Sequence, residues 1–567
     1  MPAPHDRTPL ARPAVLVVGG GPCGLMLANE LGRRGVATLV VDEKPGTAVN
    51  PQANATQART MEHFRRLGMA DEIRALGLPD DFPTDIAYFT RYARHQLARF
   101  SLPSAREARR LVRHLGGSWS AAELPHRVSQ KFVEAVLRRH AESRPSVALH
   151  YGWRLLGFVD RHSHVDATIE HVADGRRLDV RAQWLVGADG PRSSVRQQLG
   201  IRYGGETGVV RDFMGGRMHA VYLRAPTFYA DVPHPPAWMN VSFNRERRAF
   251  MAAVDGRGEF AFHTQLRAQE NEAALDDAAA IDMFHAAVGL ALPVEILSRG
   301  SWTAGHSLVA ERFAAGRVLL GGDAAHLFTP TGGLGYNTAV EDAVNLGWKL
   351  AAVVQGRAPP ALLDSYEAER RPLALRNTAN AKGFADSLGR FEPVPEIEDD
   401  SDAGAAARAR AGAYLEAHGR AEFNIPGITF GGRYDGSPVI VGDGSTPPPD
   451  RADRYQPSAK PGGRPPHAWL DEGVSLFDRF HPEWTLLALE ADRAAIDAFT
   501  RAATAGGMDL QVLEPPPGAP DLRALYEAPL TLIRPDQVVA WRGRDGAAAA
   551  TVVAQVLGWT GRRAGTV

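Results

Sequence analysis

The stretch 15-VLVVGGGPCGLMLANELGRRGVATLVVDEK-44 has the pattern of a strand, a glycine-rich turn, a helix and a second strand. Its first four residues are all apolar, as in a strand that is buried on both faces of a parallel sheet. Leu27 and Leu31 lie one helical turn apart, and Gly35 is typical of a residue that ends a helix. The stretch therefore predicts a βαβ unit and an α/β fold.

Gly19, Gly21 and Gly24 in this stretch form the motif G-x-G-x-x-G. The first glycine permits a tight turn, the second lets the backbone approach a pyrophosphate, and the third lets the helix pack closely on the strand. At the end of the second strand, Asp42 or Glu43 can accept a hydrogen bond from a ribose hydroxyl. The motif predicts a dinucleotide site but does not distinguish NAD from FAD.

Two further segments have the same order of strand, turn and helix. The segment 187-GADGPRSSVR-196 follows an apolar strand, although an Asp-Gly pair alone is often only a turn. The segment 321-GGDAAHLFTPTGGLGYN-337 places Asp323 at the carboxyl end of another strand, where ligands of open α/β sheets bind. Thr338 and Glu341 have the spacing of a capping box, so we expect Thr338 to cap the next helix.

Length and composition limit the classes of function. The 567 residues are enough for roughly two to four domains of about 150 residues. The 64 Lys and Arg residues balance 65 Asp and Glu, which leaves no net field to attract nucleic acid or an anionic membrane. Cys23 is the only cysteine, which excludes an intrachain disulfide and a CxxC centre, and we expect no metal site. The start of the chain has no pattern of a secretion signal or membrane span, so we expect a cytoplasmic protein.

Taken in order, GGGPCG at 19–24, GADGPRSSVR at 187–196 and GGDAAHLFTPTGGLGYN at 321–337 resemble the motifs of the class A, single-component FAD-dependent aromatic hydroxylases. This is the family of p-hydroxybenzoate hydroxylase and phenol hydroxylase, and the resemblance covers residues 12–390. It implies a Rossmann-like FAD-binding domain interleaved with an antiparallel-sheet substrate domain. It also implies hydroxylation of a small phenolic compound with O2 and NADPH or NADH, through a flavin C4a-hydroperoxide. Epoxidation on the same fold, or a non-catalytic flavin-binding assembly protein, are the alternatives.

The resemblance also implies roles for the motifs. The first binds the ADP half of FAD, the second contacts FAD and NAD(P)H, and Asp323 holds the pyrophosphate and ribityl chain. The glycine turn after Asp323 lies at the isoalloxazine edge. Gln52 stands where many relatives have an arginine that reaches the FAD phosphates. The expected cofactor-binding residues are Gly19, Gly21, Pro22, Gly24, Asp42, Glu43, Gln52, Gln130, Asp189, Asp323, Pro330, Gly333, Gly335, Tyr336 and Asn337.

The group that activates the substrate is less well defined. Asn54 matches an aspartate that assists activation of the phenol hydroxyl in phenol hydroxylase. Asparagine can orient a phenol by hydrogen bonding but cannot take its proton, and a turn asparagine without substrate contact is the alternative. His263 is a second candidate catalytic residue, with Tyr229 and His234 as further candidates, although isolated histidines are more often structural.

Composition and resemblance together divide the chain into three parts. Residues 1–390 are expected to form the monooxygenase core, with FAD-binding segments at about 12–85, 115–200 and 300–390 and a substrate sheet at about 86–114 and 201–299. Residues 391–454 are expected to form a helical and proline-rich connector. Residues 455–567 are similar to the thioredoxin-like domain of phenol hydroxylase, through their element order and 531-TLIRPDQVVAWRG-543, but contain no thiol. We expect a structural or assembly role for them, and the resemblance makes a homodimer possible.

Overall fold

The computed structural model describes residues 11–207, 215–267, 269–270, 275–516 and 520–559. Residues 1–10, where we expect no secretion signal, lie outside this part of the chain. None of the described helices is long and apolar enough to cross a membrane. In chain order they are α1 Pro22–Gly32, α2 Ala58–Arg66, α3 Ala70–Arg74, α4 Ala105–Leu111, α5 Gln130–Glu142, α6 Ser194–Gln198, α7 Phe228–Asp231, α8 Asp277–Val288, α9 Leu334–Val354, α10 Asp364–Gly389, α11 Asp402–Phe423, α12 Pro426–Phe430, α13 Arg493–Gly506, α14 Leu522–Tyr526 and α15 Ala549–Val556.

A mainly parallel sheet forms the centre of the N-terminal half. Its strands lie in the spatial order Ala314–Ala315, Val318–Leu320, Trp184–Gly187, Val15–Val18, Thr38–Asp42 and Val147–Tyr151. All neighbours pair in parallel except the first two. Val15–Val18 is buried along its whole length, and α1 packs against α5 and α9. The predicted βαβ unit is present. Its first strand is apolar along its whole length because helices cover the sheet.

An antiparallel sheet forms a second layer. Its strands lie in the order Glu295–Ala304, Gly216–Arg224, Glu259–Gln265, Arg248–Ala253, Met239–Phe243, Ile86–Phe89 and Gln96–Phe100. Only Met239–Phe243 and Ile86–Phe89 pair in parallel among the described strands of this sheet. Phe260 and Phe262 share one face and are fully buried. The two interleaved sheets confirm the predicted α/β class.

The smaller sheets connect these layers and extend the C-terminal part. They pair Arg177–Ala182 with Val165–His171 and Trp153–Asp160, Tyr203–Glu206 with Ser307–Ala310 and His326–Leu327, Ala55–Thr56 with His126–Arg127, and Trp469–Asp471 with Val474–Ser475. The C-terminal sheet has the order Leu510–Leu513, Trp484–Ala488, Leu530–Ile533 and Val539–Gly543. Its first two strands are parallel and joined through α13, and its last two form an antiparallel hairpin. This is the element order that the sequence predicts.

Two helical segments begin or end differently from their sequence pattern. The segment 57-QARTMEHFRRLGMADEIRAL-76 has a helical pattern in the sequence, but it forms two helices, α2 and α3, because the chain turns at Gly68, which has a φ of +76°. The predicted capping box of Thr338 and Glu341 is wrong, because α9 already begins at Leu334. Thr338 instead accepts a hydrogen bond from Asn377, and Glu341 pairs with an arginine of α10.

A buried carboxylate, Glu369 of α10, joins three parts of the chain. Its oxygens lie 2.6 Å from Lys349 Nζ of α9 and 2.7 Å from Arg534 Nη1 of the C-terminal sheet. Asn345 Nδ2 and Ser437 Oγ each donate a further hydrogen bond of 2.6 Å to it. Burial alone would raise the pKa of the Glu369 carboxyl, but Arg534 and Lys349 outweigh it and hold the pKa well below its usual range. Burial lowers the pKa of Lys349 to about 8.

We expect Glu369→Ala to cost about 3–5 kcal/mol of unfolding free energy, because it leaves two buried cations without their carboxylate. Thermal and denaturant unfolding of the purified protein measure this change. Arg451→Ala is the control, because its partner Asp453 lies on the surface. We expect Arg451→Ala to have the same unfolding midpoint as the unaltered protein. A midpoint in Glu369→Ala equal to that of the control would show that the cations find other partners.

Candidate active site

The glycine loop before α1 has the geometry for close approach to a phosphate. Gly19 has a φ of +114°, and a Cβ there would lie 2.1 Å from the carbonyl oxygen of Ala188. A Cβ on Gly24 would lie 1.9 Å from the carbonyl oxygen of Gly19, so α1 can pack here only without a side chain. A Cβ on Gly21 would meet no atom within 4 Å. Only the second glycine therefore faces open space, as the backbone beside a pyrophosphate must. Pro22 is the first residue of α1, a position where its missing N–H is not needed.

The two acids at the end of Thr38–Asp42 differ in their surroundings. Asp42 Oδ2 accepts a hydrogen bond of 2.7 Å from the Gly20 N–H, and its Oδ1 accepts one of 2.8 Å from the Lys44 N–H. Asp42 thereby supports the glycine loop directly. Glu43 is exposed. Both lie at the carboxyl edge of the parallel sheet.

The Asp-Gly loop lies against the first motif through Ala188. Asp189 accepts hydrogen bonds from Ser193 Oγ at 2.5 Å, Ser194 Oγ at 3.1 Å and the Val195 N–H at 3.2 Å. It therefore organises the start of α6. The contact of Gly19 with Ala188 brings the first two motifs together.

Asp323 lies on the loop after Val318–Leu320, and this loop touches the first motif. A Cβ on Gly321 would lie 3.1 Å from Cys23 Sγ. The Asp323 side chain is open to the surface, yet burial of its surroundings raises the pKa of the carboxyl, with His326 and Lys44 acting in the opposite direction. Asp323 therefore lies at the carboxyl edge of the sheet, where a ligand hydroxyl can donate to its carboxylate, and we call the space that the three motifs border there the crevice.

The 330–337 turn leads from this crevice into α9. Gly332 and Gly333 have φ values of +63° and +64°, which favour glycine. Pro330 is exposed, whereas burial raises the pKa of the Tyr336 phenol. No described side chain caps α9 at Gly333, so a cap does not offset the positive end of the helix, which has Gly335 in its first turn.

Asn337 fixes the turn to the segment 52–57. Its Oδ1 accepts a hydrogen bond of 2.8 Å from the Gln57 N–H, and its Nδ2 donates one of 2.9 Å to the Ala55 carbonyl. Gln57 Nε2 donates a further one of 3.1 Å to the Gly332 carbonyl. The turn and this segment are therefore held as one unit.

The same segment is fixed at its other end by α5. The Gln130 N–H donates a hydrogen bond of 2.7 Å to the Ala53 carbonyl, while its side chain donates to Glu134. Asn54 lies between these two attachments, and within the described chain its buried Oδ1 has no hydrogen-bond partner. Gln52 is exposed. An orphaned acceptor beside the crevice is consistent with a ligand contact.

Two structural contributors to the site escaped sequence analysis. Glu422 of α11 accepts a hydrogen bond of 2.8 Å from the Gly332 N–H, although its segment was expected to be a connector. Asp342 accepts hydrogen bonds from the Gly322 N–H at 3.1 Å and from Arg370 Nε at 2.8 Å. His326 Nε2 lies 2.6 Å from the same carboxylate. No local motif marks Glu422 or Asp342, because their partners are distant in sequence.

One face of the antiparallel sheet is turned towards α5 of the FAD-binding layer. Side chains alternate between faces along a strand, so His263 and Ala261 lie opposite to Phe260 and Phe262. Tyr222 pairs with Ala261 and accepts a hydrogen bond of 2.6 Å from Lys131 Nζ, at the start of α5. The His263 face is therefore the face that meets the FAD-binding layer.

His263 is held as a neutral ring on this face. Trp302 Nε1 donates a hydrogen bond of 3.1 Å to His263 Nδ1, and Phe250 stacks on the ring at 4.6 Å between centroids. Burial lowers the pKa of His263 to about 4. Since an indole can only donate, the proton of the neutral ring is on Nε2.

Tyr229 and His234 lie on the other side of the sheet. Tyr229 packs against Phe260 with 5.6 Å between ring centroids, and His234 packs against Phe89 at 5.0 Å. The pairing register places Phe89 on the same face as Phe260. Both candidates are therefore separated from the crevice by the sheet.

Comparison with known proteins places this arrangement in a family. The model of the FAD binding domain family matches residues 12–381, and that of the aromatic-ring hydroxylase C-terminal domain matches residues 458–562. The chain is 30% identical to 2,4-dichlorophenol 6-monooxygenase of Delftia acidovorans, over 95% of this chain and 96% of that protein. It is 30% identical to the FAD-dependent monooxygenase apdD of Emericella nidulans, over 97% and 91% of the two chains.

A solved structure shows the same overall fold. The flavin-dependent monooxygenase PieE, in complex with FAD and substrate, superimposes with a TM-score of 0.85 and 30% identity, over 97% of this chain and 100% of that one. The glycine loop, the open Gly21 and the uncapped start of α9 fit an FAD cofactor. The chain belongs to the class A FAD-dependent aromatic hydroxylases and is an FAD-binding monooxygenase of that family.

Proposed function

We propose that this protein hydroxylates a phenolic ring with NAD(P)H and O2. The observation that carries the proposal is that contacts join the three motifs and the segment 52–57 at the carboxyl edge of the parallel sheet, with the His263 face of the antiparallel sheet turned towards α5. Bound FAD supplies the redox chemistry by accepting a hydride from NAD(P)H and activating O2. The protein must then hold the cofactor, orient the ring and exclude water.

Different residues around the crevice are assigned to different parts of FAD. Gly21 leaves room for the pyrophosphate, and Asp323 accepts hydrogen bonds from the ribityl hydroxyls. The 330–337 turn and the positive end of α9 hold the isoalloxazine edge and stabilise negative charge on it. Glu43, exposed at the end of its strand, is the better placed acceptor for the ribose, because Asp42 is engaged by two backbone N–H groups.

Asn54 and His263 are the groups we assign to the substrate. The Asn54 Oδ1 accepts the hydrogen bond of the phenol hydroxyl, which increases electron density on the ring. The neutral His263 presents an Nε2–H donor beside Phe250 and Trp302, whose rings pack against an aromatic substrate. Phenolic chemistry is also the activity named for the Delftia relative.

The proposed reaction is tested with purified holoprotein and a panel of phenols. We expect NAD(P)H oxidation to accelerate with a suitable phenol, and chromatography to show one added oxygen atom per NAD(P)H consumed. Oxidation of NADH and NADPH in parallel gives the preferred reductant. A preparation that binds FAD but yields only epoxides or only peroxide across the panel would contradict aromatic hydroxylation.

We expect Gly21→Ala to bind FAD at least about tenfold more weakly while leaving the apoprotein folded. The added methyl group meets no protein atom within 4 Å, but occupies the space that the pyrophosphate needs. Fluorescence titration of apoprotein with FAD measures the affinity, and circular dichroism the fold. Gly116→Ala is the matched control, since its methyl group also meets no atom. Equal affinity in both variants would place the pyrophosphate elsewhere.

We expect Asn54→Ala to keep its FAD but to lose coupling, with kcat/KM for the phenol reduced by about 2–10-fold for one hydrogen bond of about 0.5–1.5 kcal/mol. The ratio of product to NAD(P)H, with released peroxide, measures coupling. Asn50→Ala is the control in the same segment, because its Oδ1 is already occupied by Ser298 Oγ at 2.7 Å. Unchanged coupling in Asn54→Ala would assign this residue a structural role.

A further inference from the structure

The C-terminal domain, taken as residues 458–562, inserts one hairpin turn into the FAD-binding layer. This turn is residues 534–537, which we call the RPDQ turn, and it connects Leu530–Ile533 to Val539–Gly543. Arg534, Asp536 and Gln537 are all buried, although polar hairpin turns usually face solvent. Other buried groups must therefore form hydrogen bonds with these three side chains.

The RPDQ turn holds α10 and α9 through charged contacts. Arg534 donates two hydrogen bonds to Glu369, of 2.7 and 2.9 Å, and two to Asp536, of 3.0 and 2.6 Å. Glu369 in turn binds Lys349 and Asn345 of α9. Asn345 and Lys349 lie about 16 and 22 Å from the first residue of α9 along its axis, at about 1.5 Å per residue.

The same turn also holds the first turn of α2. Arg59 Nη2 donates hydrogen bonds of 3.0 Å to the carbonyl oxygens of both Asp536 and Gln537. Arg59 lies two residues after Gln57, which binds Asn337 and Gly332 at the 330–337 turn. One hairpin of the C-terminal domain thus contacts both α2 and α9. The N-terminal ends of these two helices are joined by hydrogen bonds at the 330–337 turn.

We infer that the RPDQ turn is a positioning element for the flavin. By fixing α2 against α9 and α10, it keeps the 330–337 turn and the segment 52–57 in the register that their hydrogen bonds require. Because both helices are rigid, a loss of the link at Arg59 displaces the groups that face the isoalloxazine. The C-terminal domain therefore acts on FAD without touching it. The inference rests on the proposed placement of the flavin at the 330–337 turn.

The test compares Arg59→Met with Glu483→Gln. Arg59→Met removes the link to the RPDQ turn, while its other partner Glu62 keeps Arg464 at 2.5 Å. Glu483→Gln weakens a different contact between the C-terminal domain and the core, the 2.7 Å pair with Arg34, whose two residues lie outside α2 and α9. Arg59→Lys restores one donor and should recover part of the effect.

We expect apoprotein of Arg59→Met to bind FAD about tenfold more weakly than Glu483→Gln does, and to exchange amide hydrogens faster at 55–58 and 330–337. Holoprotein should release more peroxide per NAD(P)H. Affinity and exchange equal in the two variants would overturn the inference. If Arg59→Met does not fold, the same comparison with Arg59→Lys decides the question.

Asp323→Ala separates this inference from the placement of the flavin. Loss of FAD from Asp323→Ala, together with unaltered affinity in Arg59→Met, would refute only the role of the RPDQ turn. Normal FAD binding by Asp323→Ala would refute the placement itself, and the inference with it. Weak binding in both variants supports both.

Discussion

The buried carboxylate of Glu369 is the interaction on which the relative positions of the core helices depend. Burying a carboxylate is costly unless cations and hydrogen-bond donors surround it, and Glu369 receives both from α9, from Ser437 and from the C-terminal hairpin. An apolar cluster of similar volume could be as stable, but it would tolerate sliding of the helices. A carboxylate with fixed donors has one satisfied arrangement, and that arrangement fixes α9 against α10 and the C-terminal hairpin.

The start of α9 matters because the site uses backbone groups more than side chains. The main chain at Gly19 and Gly24 lies where a Cβ would clash. Gly332 and Gly333 adopt positive φ values that would strain any other residue. Main-chain N–H groups and a helix end act over short distances, so they need accurate positioning. The side chains around them, Asn337, Asp342 and Glu422, serve mainly to hold the main chain in place.

Sequence analysis predicted the parts of the site that are encoded locally. A glycine motif, the strand before it and the helix after it lie within thirty residues or fewer, so the βαβ unit and the carboxyl-edge position of Asp323 followed from pattern alone. The contacts that lock the site were not predictable in this way. Gln57 reaches Asn337, and Glu422 reaches Gly332, across long separations without a spacing rule. The predicted capping box was wrong for a different, local reason: Gly332 and Gly333 have positive φ values, so α9 begins one turn before Thr338.

Asn54 and His263, the two groups assigned to the substrate, limit how the ring can be activated under the proposed function. Asn54 cannot take a proton, and burial lowers the pKa of His263 to about 4, so neither is a base for a phenol whose pKa is near 10. Activation by hydrogen bonding raises ring electron density less than full deprotonation does. Such a site favours rings that are already electron-rich, with more than one hydroxyl or amino donor, over simple phenol. Asn54 stands where phenol hydroxylase has an aspartate, and this difference therefore affects which substrate is used as well as how it is oriented.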